Sequence, residues 1–193
     1  MASSALKSRR HFTGVAIFVL LISVFTSPVS AYPPGQTLAL SVSSYQVLPG
    51  SVVTLRVTNA KPGKLTLIFG SLVKRPIVSN SFSTLNLRVT ARTAGIYLTS
   101  AFANDGEKAW TRVYVPSATA SKTAKVGTWG RVTVRYAKPG SVVVVRIDGR
   151  NFTRVVGSDS SAVVPFKVTR KGTRLLTATV GAVTLATLKT TGL

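Results

Sequence analysis

Ala60-Lys61-Pro62-Gly63 recurs as Ala137-Lys138-Pro139-Gly140, 77 residues later. An alternating run precedes each copy: Val53-Thr54-Leu55-Arg56-Val57-Thr58 in the first, Arg131-Val132-Thr133-Val134-Arg135-Tyr136 in the second. Another follows: Lys64-Leu65-Thr66-Leu67-Ile68-Phe69, and Ser141-Val142-Val143-Val144-Val145-Arg146. Further on, Leu87-Arg88-Val89-Thr90 matches Phe166-Lys167-Val168-Thr169 at an offset of 79, so a two-residue difference in loop length is expected between the matched blocks. A repeat built on period-two alternation restricts the fold. Each copy must be a small sheet-built unit in which one face of every strand turns to a core.

Strands are expected near 37–43, 52–58, 64–70, 75–78, 82–90, 95–103 and 109–115. In the second copy they are expected near 119–125, 130–136, 141–147, 152–156, 162–169, 173–180 and 183–189. No helical period persists after residue 31. Seven short strands per copy is the count of a β-sandwich. In each Pro-Gly pair, Pro presets φ and Gly accepts positive φ, which makes a turn. Asn104-Asp105-Gly106-Glu107, Asp148-Gly149 and Val180-Gly181-Ala182-Val183 read as hairpin loops. The boundary falls at Pro116-Ser117-Ala118. The organisation expected is therefore a signal segment at 1–31 and all-β sandwich domains at 32–116 and 117–193, set end to end.

The order of alternating strand, Pro-Gly turn and alternating strand resembles the immunoglobulin-like domains of exported actinobacterial proteins over nearly all of 37–190. Thr93-Ala94-Gly95-Ile96-Tyr97-Leu98-Thr99 resembles the Gly-x-Tyr stretch that opens strand F of such folds. The resemblance implies a tyrosine corner at Tyr97, whose hydroxyl returns to nearby backbone. Thr99 stands where antibody-type domains carry Cys, so no inter-sheet disulfide is implied. The second copy has Arg174-Leu175-Leu176 at this place, without the Tyr.

The front of the chain reads as an export signal. Lys7, Arg9 and Arg10 form a basic start, Phe12 to Phe25 is an apolar run, and Val29-Ser30-Ala31 supplies small residues before Tyr32. Ser8-Arg9-Arg10-His11-Phe12 also has the form of a twin-arginine motif, with an ordinary secretory signal the favoured reading. No later stretch is apolar enough to span a membrane as a helix. Neither a sortase-type signal nor a lipobox Cys is present. An exported β-protein without cysteine points to a bacterial source and to stability from core burial alone.

Beyond residue 31 the chain has no His, Cys or Met and only four acids, Asp105, Glu107, Asp148 and Asp159. Ser-His-Asp and Cys-His catalysis lack their parts. Zinc and copper sites lack nitrogen and sulfur ligands, and calcium lacks carboxylates. Paired-carboxylate hydrolysis would need two acids brought together by folding, whereas all four sit in turn-like sequence. No Ser-x-x-Lys or Gly-x-Ser-x-Gly context supports a hydrolase. An autocatalytic Lys–Asn link would need a buried acid. Asn151-Phe152-Thr153 has the form of a glycosylation acceptor, which in a bacterial chain is coincidence. No enzyme, metal or cofactor is expected.

Of the 25 Lys and Arg, all but Lys7, Arg9 and Arg10 fall after residue 31, so the exported part carries +18. The first copy has nine cations against two acids and the second thirteen against two. Alternation turns Val53, Leu55 and Val57 inward and Arg56 outward; likewise Leu85, Leu87 and Val89 inward and Arg88 outward. Arg56 and Arg88 are expected on one outer face, and Arg131, Arg135 and Lys167 on the matching face of the second copy. A second group, Arg146, Arg150 and Arg154, surrounds the Asp148-Gly149 turn. A third, Arg170, Lys171 and Arg174, precedes strand F. A charge of one sign favours polyanions. Outside a bacterium these are anionic wall polymers, phospholipid headgroups, lipopolysaccharide and acidic polysaccharide. Nucleic acid is the less favoured partner: Trp129, Tyr136, Phe152 and Phe166 read mostly as core, hinge or hairpin residues rather than a stacking row. The function expected is non-enzymatic adhesion to anionic envelope or extracellular polymers through basic strand faces. The alternative is a spacer or self-associating surface subunit, cued by the Val142–Val145 run.

Overall fold

The computed structural model describes residues 37–80 and 83–193. The export segment expected at 1–31 lies outside the described residues. Among those described, every regular element is a strand, and no helix is long and apolar enough to cross a membrane.

The first copy supplies β1 (Ala39–Val42), β2 (Val52–Ala60), β3 (Gly63–Phe69), β4 (Leu72–Lys74), β5 (Ile77–Val78), β6 (Ser83–Thr90), β7 (Gly95–Ala103) and β8 (Lys108–Val115). They form a three-stranded sheet, β1-β2-β6, and a second sheet, β4-β3-β7-β8, with β5 paired to β3. The second copy supplies β9 (Ser117–Ala120), β10 (Thr123–Ala124), β11 (Trp129–Arg135), β12 (Val142–Ile147), β13 (Arg150–Val155), β14 (Ser161–Lys167), β15 (Gly172–Val180) and β16 (Val183–Gly192). These give β14-β11-β9 and β10-β16-β15-β12-β13. In each copy the chain leaves the three-stranded sheet and crosses to run parallel to the last strand of the other sheet, at the Gln46–Tyr114 bridge and along β10–β16. All other ladders are antiparallel. This is an immunoglobulin-like sandwich, twice over.

Val53, Leu55 and Val57 are fully buried, as are Val132, Val134, Val143, Val145 and Phe166. The pleat therefore divides Val142–Val145: Val143 and Val145 enter the core, whereas Val142 is 47% exposed. The run that cued self-association is thus shared between core and surface.

The strand registers correct the spacing of the repeat. Val53 pairs with Val89, and Gly130 pairs with Phe166. Gly50 N–H donates to Ala91 O and Ala91 N–H to Ser51 O, and the same two bonds recur as Gly127 to Val168 and Val168 to Thr128. Strands β2 and β6 are thus related to β11 and β14 by one offset of 77, and the offset of 79 expected for Leu87–Thr90 is two residues too long. Two consecutive Val-x-Val-type steps on one face look alike when shifted by two, because the strand period is two. Val89 is matched by Phe166, and Arg88 by Pro165.

Strand β7 reverses the usual alternation. Its inward Thr99 and Ala101 are small and fully buried, while Ile96 (45%), Leu98 (52%) and Phe102 (40%) stand exposed on the outer face. The junction between the copies is short. Pro116 alone separates β8 from β9, and Gln46 bridges across it: its Nε2 donates to Val180 O at 2.8 Å and its Oε1 accepts from Lys138 N–H at 3.0 Å.

Candidate functional site

The outer faces of the two three-stranded sheets carry the expected cations. Thr54 lies opposite Arg88 and Arg56 opposite Asn86, so Arg56 and Arg88 are diagonal neighbours on one exposed face. In the second copy Lys167 lies opposite Trp129, Arg131 opposite Pro165 and Arg135 opposite Ser161, all outward. Arg131 and Arg135 are four residues apart on one strand, about 14 Å at 3.4 Å per residue. That exceeds the screening length of roughly 8 Å at physiological salt, so their mutual repulsion is weak. The two faces share a sign and not a pattern. At the 77-residue offset Arg56 answers to Thr133 and Arg88 to Pro165, while Arg131, Arg135 and Lys167 answer to Thr54, Thr58 and Thr90.

Arg88 also lines a cleft of about 590 Å³ at one end of the first sandwich, together with Lys74, Arg92, Phe69, Thr93 and Tyr97. Lys74 and Arg92 were not singled out in the sequence. Lys74 lies on the short strand β4, which pairs with the end of β3, where only a loop was expected. The Tyr97 ring stacks on Phe69 at 4.7 Å, its hydroxyl donates to Thr93 O, and that hydroxyl accepts from Thr93 N–H, both at 3.0 Å. The implied tyrosine corner is present and shapes the cleft wall.

The second cation group is divided by the pleat. Asp148 (φ 48°) and Gly149 (φ 77°) form the expected two-residue hairpin. Arg146 points outward opposite Asn151. Arg150 and Arg154 lie opposite Ile147 and Val143, on the core side of an edge strand, and reach solvent past the core margin. Arg146 therefore does not share a face with Arg150 and Arg154.

The third group is also divided. Arg170 and Lys171 are exposed in the loop, but Arg174 lies within β15, half-buried. It occupies the place of Tyr97 in the repeat. Its Nη2 donates to Lys171 O at 3.0 Å, and its Nη1 lies 3.9 Å from Asp148 Oδ1. Gly70, which precedes β4, has φ +58°, and a Cβ there would meet Tyr97 Cδ1 at 2.9 Å. The second copy places Asp148 at the corresponding turn and a guanidinium in place of the ring. Arg174 is a corner residue with its own counter-ion.

The acids are committed locally. Lys61 Nζ is shared by Asp105 Oδ2 and Glu107 Oε1, at 2.5 and 2.8 Å. Glu107 Oε2 accepts from Leu38 N–H at 3.0 Å, tying the first strand to the β7–β8 hairpin. These bonds hold the Lys61 ammonium above its ordinary value, Asp105 first and Glu107 second. Both carboxyls are lowered, chiefly by the Lys61 hydrogen bond and next by backbone N–H groups. Asp159 is lowered by the hydroxyl and then the N–H of Ser161. Among the described residues, ion pairs involve only Lys61 and Arg174 as cations. No group of three or more potential metal ligands occurs among them.

The aromatic expectations hold in part. Phe166 is fully buried, whereas Trp129 is 61% exposed and Tyr136 40%. Trp129 meets Phe152 edge-on at 6.5 Å, at the rim of the second sandwich. It is not core, because Gly130 rather than Trp129 takes the inward position.

No protein-family model matches this sequence, and no curated protein matches it. Solved structures do. The chain is similar to the human OSCAR ligand-binding domain, at 16% identity over 80% of this chain and 96% of that one, with a TM-score of 0.40. It is similar to the D00-D0 domain of intimin, at 13% identity over 81% and 99%, with a TM-score of 0.37. A C-terminal 282-residue fragment of intimin, in complex with the intimin-binding domain of the translocated intimin receptor, matches at 14% identity over 81% and 64%, with a TM-score of 0.39.

Proposed function

We propose that this protein is a non-enzymatic, exported adhesion module of two immunoglobulin-like domains, divided at residue 116, that attaches to anionic envelope or extracellular polymers. One observation carries the reading. All four acids of the exported part are engaged with Lys61, Arg174 or their own turns, so Arg56, Arg88, Arg131, Arg135 and Lys167 face solvent without carboxylate partners. Lys74 and Arg92 join Arg88 around the cleft and extend the same field. Attraction of this kind depends on summed charge more than on the position of any one cation. That suits two faces whose cations stand at non-equivalent places. Export through the segment at 1–31, and the actinobacterial affinity implied by the resemblance, are parts of the same proposal.

The test is binding to purified cell envelope between about 50 and 500 mM salt, over which the screening length falls several-fold. Binding should be strong at the low end and decline steeply. The Arg131→Ala/Arg135→Ala variant should flatten the salt dependence, and the charge-neutral Asp148→Asn/Arg174→Gln variant should leave it unchanged. Absence of binding at low salt sinks the reading.

A further inference from the structure

The outer face formed by β7 and β8 is unlike the basic faces described above. Leu98 lies opposite Arg112, Ser100 opposite Trp110 and Phe102 opposite Lys108. Ser100 is the small residue between two large ones, and the gap it leaves beside the indole is a trough of about 420 Å³. Trp110 is 66% exposed. The Arg112 guanidinium sits 5.7 Å from the centroid of its ring. Lys108 and Arg112 are two residues to either side of Trp110 and share its face, and neither has a carboxylate partner among the described residues.

This face is costly to leave bare. Exposed apolar side chains in contiguous patches mark interaction surfaces on soluble proteins, and Ile96, Leu98, Phe102 and Trp110 form such a patch here. The chemistry of the occupant follows from its borders. A second copy of this chain would set Lys108 and Arg112 against their own equivalents, in molecules already carrying +18 each in the exported part. A neutral apolar partner would leave both cations to be desolvated without compensation. An occupant with a flat apolar face and negative groups beside it satisfies both requirements. The second sandwich does not repeat the arrangement: Leu175 and Lys189 stand in the places of Leu98 and Arg112, but threonines, Thr187 and Thr179, replace Trp110 and Phe102.

We propose that the trough is a stacking site for one sugar ring of an acidic polysaccharide. The indole of Trp110 covers the apolar face of the ring, with Leu98 and Phe102 as end walls, while Lys108 and Arg112 hold carboxylate or sulfate groups on either side. The site rests on the polyanion reading and adds to it a contact that salt does not screen.

The experiment compares three probes on the full chain: polygalacturonate, inorganic polyphosphate, which has charge and no ring, and single-stranded oligothymidylate. Trp110 emission is read in a Trp129→Phe background. Polygalacturonate should change that emission, and Trp110→Ala should weaken its binding roughly tenfold, the loss expected of an interface aromatic anchor. Polyphosphate binding should be unaffected. Trp110→Phe should recover part of the loss, which separates stacking from any effect on folding. Undiminished polygalacturonate binding in Trp110→Ala overturns the trough and leaves the polyanion reading standing. A larger loss for oligothymidylate than for polygalacturonate overturns the sugar assignment in favour of nucleic acid. Failure of all three probes to bind at low salt overturns the trough and the polyanion reading together.

Discussion

The pair Gly130–Phe166 offers a quantitative test of the repeat register. In the first sandwich the same two positions hold Val53 and Val89, opposite each other and buried at 0% and 3% exposure. In the second, one partner has no side chain and the other is a fully buried ring. A Cβ on Gly130 would lie 2.7 Å from Phe166 Cε2 and nearer still to Cζ, so the ring occupies the space a side chain would need. Gly130→Val should therefore destabilise the second sandwich by about 3 kcal/mol through overpacking, the upper end of the usual range, because the ring is enclosed on every side. Phe166→Val should cost about 2–3 kcal/mol by opening a cavity. The double variant restores the Val–Val pair of the first sandwich. It should fall within about 2 kcal/mol of the parent, a coupling of about 3 kcal/mol where independent sites would simply add. Each sandwich contains one of the two tryptophans. Thermal unfolding followed by Trp129 emission in a Trp110→Phe background then reports the second sandwich, and at about 4–8 °C per kcal/mol its melting point should drop by about 8 °C or more in each single variant. A double variant as unstable as the two single losses summed would refute the register and the volume exchange inferred from it.

Tyr97→Phe removes a hydroxyl that both donates to and accepts from Thr93, and should cost about 1 kcal/mol in the first sandwich, since Thr93 is exposed and water can replace the bonds. Thr99→Val should stabilise by a similar amount, because the buried Thr99 Oγ1 has no hydrogen-bond partner and its counterpart in the repeat is Leu176; chemical denaturation measures both. Gln46→Ala deletes both side-chain bonds across the junction, so NMR relaxation should show the sandwiches reorienting more independently while their unfolding midpoints hold. The described residues contain no His, so stability should be flat from about pH 5 to 8. Asp105, Glu107 and Asp159 have folded-state values below their ordinary ones, so their contribution is present above about pH 4 and lost as pH falls through the lowered values. Melting temperature against pH checks both parts, and a slope between 5 and 8 would contradict them.

Alternation made the strand faces legible. The inward set Val53, Leu55, Val57 and the outward Arg56 follow from period two alone, as do the Asp148-Gly149 and Asn104–Glu107 turns. What escaped was set by contacts between strands. A shift of two leaves a strand's pattern intact, so only pairing could equate Arg88 with Pro165 rather than Lys167. Strand β7 was recognised, but Thr99 and Ala101 inside with Leu98 and Phe102 outside reverse the rule that the larger apolar face is the core face. The clue was present in Lys108-Ala109-Trp110-Thr111-Arg112-Val113, where Ala109 and Val113 share one parity and Trp110 keeps company with two cations. Arg174 read as one more surface charge because its corner role depends on Asp148, 26 residues earlier, folding back against it.

The exchange of Gly70 and Tyr97 for Asp148 and Arg174 bears on how the charge should be counted. One copy closes its corner with a ring over a glycine, the other with an ion pair, so a cation gained in the second copy is cancelled by an acid gained beside it and adds nothing to the field. Lys61 is similarly offset by Asp105 and Glu107, whereas Lys138, its counterpart in the repeat, lies 5.4 Å from the Tyr45 ring at the junction. On the outer faces of the two three-stranded sheets, an Arg or Lys in one copy meets Thr or Pro in the other. Duplicated positions that needed to grip a ligand in fixed geometry would keep their cations in place. These keep only the sign, as a diffuse field requires. On the proposed polyanion reading, such a field attracts polyanions of many shapes and distinguishes them poorly, so discrimination has to come from a feature with fixed geometry. The trough beside Trp110 is such a feature, built on one sandwich and replaced by threonines on the other.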